Sequence, residues 1–399
     1  MSSMPESQPV KANPSLLEAL QAELAERASL GLLRQRRVLN GMQGVHVEVD
    51  GKRLLSFCSN DYLGLASHPD LIAAMRDTAS IAGAGSGASH LVTGHQQAHE
   101  ALEQALQALM RLPGILLFTT GYMANLGVIT ALCGRDDAIF ADKLNHASLN
   151  DAALLSRAEL KRFPHNDLSS LERLLAQSHV RRKLVVVDAV FSMDGDLAPV
   201  PELLALCERY DAYLMLDDAH GFGVLGSEGR GILEHFTLDS PRIIYMATLG
   251  KAAGAAGAFV AGPKILTDYL MQTARPYIYT TASPAPVAAA AMAGVRLIQQ
   301  DHARRAHLHQ LIAEFRATCQ LQRWQLMASA TAIQPIIIGS NDEALQVSKR
   351  LLERGILVPA IRPPTVPKGT ARLRISLSAA HTHEDIAQLL EALHTLEAT

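Results

Sequence analysis

The sequence predicts an α/β protein, with a large domain built on a mostly parallel sheet and a smaller α+β C-terminal domain. Three observations carry that expectation. Between Pro69 and about Gly262, short apolar runs alternate with amphipathic segments such as Ala98 to Leu112 and Pro201 to Tyr210. The runs are Ile115–Phe118, Ala138–Phe140, Leu184–Val187, Tyr213–Leu216, Ile243–Met246 and Ala258–Val260. They lack apolar/polar alternation, which suits strands covered on both faces by helices. After Ser283-Pro-Ala-Pro286 the rhythm changes. Two long helical stretches lead to a strand at Ala332–Ile338, a helix at Asp342–Arg354, a strand at Ala371–Leu377 and a closing helix from His383. The division expected is a helix and hairpin segment over 1–60, the large domain over 61–290 and the C-terminal domain over 291–399.

In chain order, Asn13-Pro14 is a good N-cap and first-turn pair. Leu17, Leu20 and Leu24 then give one apolar face to a helix running towards Leu33, a face that should lie against another element. Val45 to Phe57 alternates as a hairpin around Asp50-Gly51. Cys58-Ser-Asn-Asp-Tyr-Leu-Gly-Leu65 has no periodicity and reads as a loop entering a site. The most apolar stretch, Ala285 to Ile298, is alanine-rich and interrupted by Arg296, so it reads as a buried helix and not a membrane span.

Composition excludes several classes of function. The 399 residues carry 39 acidic and 36 basic side chains, a net charge of −3, with no block of like charge. A nucleic-acid or membrane surface is therefore not indicated. Arg34, Arg36 and Arg37 come closest to a basic patch and read as a solvated helix end. The cysteines, Cys58, Cys133, Cys207 and Cys319, are scattered without a C-x-x-C pair. That pattern fits reduced thiols in a cytoplasmic enzyme better than a zinc site or disulfides. Met1 to Pro14 is polar and does not resemble a signal peptide.

In an open α/β sheet, ligands bind beyond the carboxyl ends of the strands. Five of the runs end in titratable or hydroxyl side chains. Thr119-Thr-Gly121-Tyr122-Met-Ala-Asn125 opens a helix whose first N–H groups could hold a phosphate. Asn145-His146-Ala-Ser148, Asp188 with Phe191-Ser192, Asp217-Asp218-Ala-His220 and Thr248 with Lys251 follow later strands. Taken alone, each has an ordinary reading. Lys251 among glycines and alanines could be a solvated loop lysine, and His146 and His220 could be structural. Asp217-Asp218 could be a helix cap or a metal pair, although Asp218 should point away from Asp217 if both extend the strand. Gly83-Ala-Gly85-Ser-Gly87 looks like a phosphate cradle but follows no strand. Together the groups suggest more. A half-buried amine has a lowered pKa and condenses with aldehydes, so Lys251 with Asp217 supplies what a pyridine-aldehyde cofactor requires.

Six motifs, Ser59-Asn-Asp-Tyr-Leu-Gly-Leu65, Gly121-Tyr-Met-Ala-Asn125, Asn145-His-Ala-Ser148, Val190-Phe-Ser-Met-Asp-Gly-Asp196, Asp217-Asp-Ala-His-Gly221 and Thr248-Leu-Gly-Lys251, resemble those of the α-oxoamine synthases. The resemblance runs from about Arg34 to His381. It implies a fold-type I transferase with a seven-stranded sheet, dependent on pyridoxal 5′-phosphate (PLP) and without a catalytic metal. It also implies roles: Lys251 for the aldehyde, Asp217 for the ring nitrogen, His146 on the ring face, and Ser192 and His220 at the phenolic oxygen. Gly121, Tyr122 and Thr248 would hold the phosphate, with Thr281 reaching in from a second subunit of a homodimer. Arg374 would grip the amino-acid carboxylate, and Arg34, Asn60 and Thr365 would line the acyl-thioester entrance.

Within the family, Ala360 to Arg374 and Ser378-Ala-Ala-His381 most resemble the members that join L-alanine to pimeloyl-CoA or a pimeloyl carrier protein in biotin biosynthesis. The alternatives are glycine with acetyl-CoA or succinyl-CoA, and serine with a long-chain acyl-CoA. Three departures from the family pattern could alter the lysine loop or the acyl fit: Ala252-Ala253 for Gly-Phe, Ala189 for glycine and Phe222 for threonine.

Overall fold

The computed structural model describes residues 15–398, so the Asn13-Pro14 pair lies outside the described residues. The first helix, Leu16–Ser29, is capped by Ser15, whose hydroxyl accepts from Glu18 N while the Glu18 carboxylate accepts from Ser15 N. It stops before Leu33. Leu17, Leu20 and Leu24 are exposed and no residue of this helix is buried, so within the described chain its apolar face has no cover.

Three strands follow: β1 (Leu39–Asn40), β2 (His46–Val49) and β3 (Lys52–Ser56). The β2–β3 hairpin turns on Asp50 and Gly51, at φ 51° and 74°. The central strands are β4 (Gly114–Phe118), β5 (Ala138–Asp142), β6 (Glu159–Phe163), β7 (Lys183–Asp188), β8 (Tyr213–Asp217), β9 (Ile243–Thr248) and β10 (Ala258–Gly262). Towards the C-terminus come β11 (Gln325–Leu326), β12 (Ile333–Gly339), β13 (Ile356–Leu357), β14 (Ala360–Ile361) and β15 (Ala371–Ser376).

The seven-stranded sheet runs β4-β10-β9-β8-β7-β5-β6. Every pairing is parallel except the two made by β10, as the mostly parallel expectation requires. Alternate strand residues enter two cores, one on each face. Leu116, Ile139, Val186, Met215, Ile244 and Val260 pack on one side, and Leu117, Phe140, Val187, Leu216, Tyr245 and Phe259 on the other. The edge strand β6 reads Glu-Leu-Lys-Arg-Phe and is mostly solvated, so no apolar run announces it.

The C-terminal sheet, β11-β12-β15-β14, is antiparallel throughout. β13 leaves it to join β3 in parallel, making one four-stranded sheet from the two ends of the chain. The helix Ala285–Gln300 is buried along one face, as its composition suggests, and packs on helices Pro69–Ala82 and Gln97–Met110. Among the described residues, no helix is long and apolar enough to cross a membrane.

Candidate active site

Because β4, β5, β7, β8 and β9 point the same way, their carboxyl ends share one edge, and a cleft of about 480 Å³ opens there. Gly121, Tyr122, His146, Ser192, Asp217, His220, Thr248 and Lys251 all line it. Eight of the residues singled out in the sequence are thus brought together from five strand ends. A larger groove of about 1140 Å³ at the opposite ends of the strands is lined mainly by apolar side chains such as Leu184, Tyr213 and Ile244, with no carboxylate or histidine. The chemistry therefore collects at the carboxyl edge.

One end of the cleft is shaped for an anion. Helix Gly121–Leu132 begins there, capped by Thr120, whose hydroxyl accepts from Met123 N. The preceding N–H groups, at Gly121 and Tyr122, have no partner within the helix. A Cβ at Gly121 would come within 2.6 Å of Thr248 Cγ2, so only glycine lets the helix start this close to the end of β9. Thr248 Oγ1 is buried without a hydrogen-bond partner. An orphaned hydroxyl beside free helix N–H groups is what a bound phosphate would satisfy.

Another part of the lining supplies a carboxyl group. Asp217 is 7% exposed, its Oδ2 accepting from Asn125 Nδ2 at 2.7 Å and its Oδ1 from Ala219 N at 3.1 Å. Asn125 also donates to Ser148 Oγ at 2.8 Å, and Ser148 Oγ lies 2.7 Å from His146 Nδ1, so one network orients Asp217 and His146. Asp188 accepts from His146 N at 3.2 and 3.1 Å. Burial, reinforced by the Asp217 charge, pushes the Asp188 carboxyl well up. Burial pulls the Lys251 ammonium down, against the attraction of Asp217 and Asp188. His220 is held well below the usual imidazole range, first by burial and then by the Lys251, Arg374 and His146 charges, so it is neutral. Asp218 faces the other way, as the alternation of side chains along a strand predicts. It is fully buried, accepts from Tyr245 Oη and Ile232 N, and is pushed up to about 7 by burial.

A second wall, whose Arg374 and Asn60 stand behind the residues that line the cleft itself, comes from distant chain segments. Arg374 on β15 is 5% exposed and donates through Nε to Ser192 O at 2.6 Å, through Nη1 to Ser376 Oγ at 2.8 Å, and through both Nη atoms to Asn60 Oδ1 at 3.2 Å. All three acceptors are neutral. Two residues earlier, Arg372 pairs with Asp194 at 2.8 Å. Tyr62 Oη lies 2.6 Å from His220 Nδ1 and donates to Asn60 Oδ1 at 3.2 Å, linking this wall to the sheet edge.

Other sequence candidates lie away from the cleft. Thr281 bridges Ser89 and borders a small separate cavity with His90 and Tyr277. Arg34 and Thr365 are exposed. Their segments meet where Arg362 Nη1 donates to Gly31 O. None of the three departures lines the cleft: Ala252 (1%), Ala253 (0%), Ala189 (0%) and Phe222 (1%) are core residues. Phe222 packs edge-to-face on Phe259, and Gly254 presses on Leu65, which would lie 2.6 Å from a Cβ there. Sequence reasoning assigned no role to Tyr62, Asn125, Ser148 or Asp188. Three of these stand in the quoted motifs, and Asp188 ends an apolar run, so position beyond a strand end was the available signal. The Gly83–Gly87 run follows a helix, not a strand. Among the described residues, three side chains with metal-donor atoms within 4.8 Å of one another, His95, Glu100 and Glu103, stand outside the cleft.

Comparison with known proteins narrows the chemistry. The profile described as aminotransferase class I and II matches residues 52–393. The chain is 83% identical over 394 residues to the 8-amino-7-oxononanoate synthase of Methylobacillus flagellatus, spanning 99% of this chain and 100% of that protein. Its structure is similar, at 30% identity and a TM-score of 0.89, to S. paucimobilis serine palmitoyltransferase with a bound PLP–myriocin aldimine, covering 96% of this chain and 98% of that one. It is also similar to the 8-amino-7-oxononanoate synthase of Francisella tularensis, at 31% identity and a TM-score of 0.75, covering 86% and 97%.

Proposed function

The chain belongs to the class I and II aminotransferase family, within it to the α-oxoamine synthases, and from that premise we propose that it joins L-alanine to a pimeloyl thioester. The products would be 8-amino-7-oxononanoate, carbon dioxide and the free thiol, a step of biotin biosynthesis. The observation that carries this reading is the convergence of Lys251, Asp217 and the orphaned Thr248 hydroxyl in one cleft, in a chain 83% identical to a named 8-amino-7-oxononanoate synthase. The TM-score to serine palmitoyltransferase, 0.89, exceeds the 0.75 to the Francisella enzyme, but at 30% identity it speaks for the shared fold and cofactor rather than for the substrate.

The cleft fits PLP: Gly121, Tyr122 and Thr248 at the phosphate, Asp217 at the ring nitrogen and Lys251 at the aldehyde. When bound, PLP supplies an aldehyde for the substrate amine and a protonated ring that accepts the electron pair left at alanine Cα. Asp217, fixed by Asn125 and Ala219 N, would hold the proton on the ring nitrogen through a charge-assisted hydrogen bond. His146, anchored by Asp188 and Ser148, would cover the ring face, and Ser192 and His220 would hold its phenolic oxygen. Lys251, its pKa lowered by burial, takes the proton from alanine Cα once its amine is free, and returns a proton at that carbon after carbon dioxide has left. Arg374, buried and bonded only to neutral groups among the described residues, binds the alanine carboxylate. Two-point contact there would fix the orientation of the substituents on alanine Cα.

The acyl thioester enters past Asn60, and the paired segments that carry Arg34 and Thr365 form the outer rim. Two copies of the chain complete the site, Thr281 of each reaching the phosphate of the other. The exposed Ile72, Ile81, Val92, Leu154 and Leu155 support such an interface, as does the position of Thr281 outside its own cleft. The test is carbon dioxide release from a panel of amino acids and thioesters. Alanine with pimeloyl-CoA or pimeloyl carrier protein should exceed every other pairing. Turnover with glycine and acetyl-CoA or succinyl-CoA, but not with alanine, overturns the substrate assignment.

A further inference from the structure

Behind the cleft, the histidine at the end of β6 touches none of the groups assigned to the reaction, yet it joins the loops that carry two of them. His165 Nδ1 lies 3.2 Å from Asp142 Oδ1 and its Nε2 lies 2.9 Å from Asp196 Oδ2, with the ring edge-on to Phe191 at 4.3 Å. Asp142 ends β5 and is fully buried. Its Oδ1 also accepts from Leu144 N at 2.8 Å and its Oδ2 from Asn166 N at 2.8 Å, which sets the course of the short loop to His146. Asp196 closes the turn that starts at Phe191, whose N donates to Asp196 O at 3.0 Å. Asn166 Nδ2 adds a 3.1 Å bond to the same Asp196 oxygen.

The far side of that turn is gripped by the C-terminal sheet. Ser329 Oγ and Thr331 Oγ1 donate to Gly195 O at 2.8 and 3.0 Å, Arg372 Nη1 to Met193 O at 3.2 Å, and Arg374 Nε to Ser192 O at 2.6 Å. Two acids would repel each other across this junction if nothing stood between them. Burial works against a charge on His165, but the hydrogen bonds it donates to Asp142 and Asp196, with their charges, prevail and push it up to about 10. His165 is therefore favoured in its protonated form between the two carboxyl groups.

We propose that His165 is a positioning residue for the reaction: by binding Asp142 and Asp196 together it sets the His146 loop and the Ser192 turn in one register. Arg374 follows, because it is seated on the Ser192 carbonyl. The ring-face histidine and the carboxylate-binding arginine are thereby held in fixed relation although they belong to different sheets. The inference rests on the PLP reading above, and its test separates the two.

Wild type, His165→Phe, which keeps a ring against Phe191 but loses both hydrogen bonds, and Asp196→Asn, which loses the charge pair, are compared. The PLP dissociation constant is read by equilibrium dialysis, and turnover with alanine and pimeloyl-CoA is expressed per cofactor-loaded site. Displacing catalytic groups by about 1 Å costs on the order of 100-fold, so each quantity should worsen at least about tenfold in His165→Phe. A merely structural role would lower the melting temperature and leave turnover per loaded site unchanged. Less than about a tenfold change in either quantity overturns the proposal. Should His165→Phe not fold, Asp196→Asn decides by the same criterion. A wild-type protein that binds no PLP refutes the cofactor reading, and one that binds PLP without turnover refutes only the substrate reading, leaving the dissociation constants to judge His165.

Discussion

The edge of the seven-stranded sheet lines the cleft, whereas the wall supplied by β15 joins it through Ser192 and, by way of Tyr62, His220, and the two are built by different routes. At the sheet edge, each group stands within a few residues of a strand end and is held by groups that follow other strands, as Asp217 is by Asn125 on the helix after β4. At the wall, Arg374 is held by Asn60 across a sequence separation of 314 residues. The edge gathers carboxylates, Asp188 and Asp217, around the lysine. Among the described residues, the wall offers a buried guanidinium bonded only to neutral acceptors. An edge of acids serves a cationic ring and amine, whereas an arginine left without an anion serves a ligand that brings its own.

Mutations should break the two regions differently. The largest effect is expected at the edge: Asp217→Ala should lower kcat by about 1000-fold, because the electron pair at Cα loses its sink. Arg374→Ala should come next, lowering kcat/KM for alanine by about 100-fold, mostly through KM, with little loss of bound PLP. Arg372→Ala sharpens the contrast between two arginines on one strand. It strands Asp194, so it should cost about 3 kcal/mol of folding stability in denaturant titration while raising KM for alanine far less than Arg374→Ala does. If both arginine variants raise KM alike, the distinction drawn between them is wrong. Tyr62→Phe, which breaks the link between wall and edge, should reduce kcat about tenfold without unfolding the protein.

The smallest effect is a pH dependence. His165 is pushed up to about 10 in the folded protein, against an unfolded value of about 6.5. Its contribution is therefore complete below about pH 6.5 and is lost as pH rises through 10. The melting-temperature gap between wild type and His165→Phe should shrink steadily over that window. A gap that widens with pH would show that the histidine is neutral in the native state.

The edge was legible in the sequence and the wall only in part. β4, β5, β7, β8, β9 and β10 announce themselves as uniformly apolar because both their faces are covered, and function then collects where each run ends. β6 was silent because an edge strand stays solvated, and with it went His165, whose partners Asp142 and Asp196 lie on other elements. Tyr62 and Asn60 stand in a motif without periodicity, and only the folded chain shows that they meet His220 and Arg374. The parallel pairing of β13 with β3 is equally invisible, since two residues carry no pattern. The exposed leucines of the first helix looked like a packing face because amphipathicity marks a face that needs cover without saying whether this chain provides it.

The account stands or falls on Lys251 as the amine at which these elements converge. Borohydride reduction of the PLP-loaded protein, followed by peptide mass mapping, reads that directly. The cofactor should be found covalently attached to Lys251 alone, and Lys251→Ala should retain none after denaturation. Attachment at another lysine, or equal labelling of the Lys251→Ala variant, would contradict it.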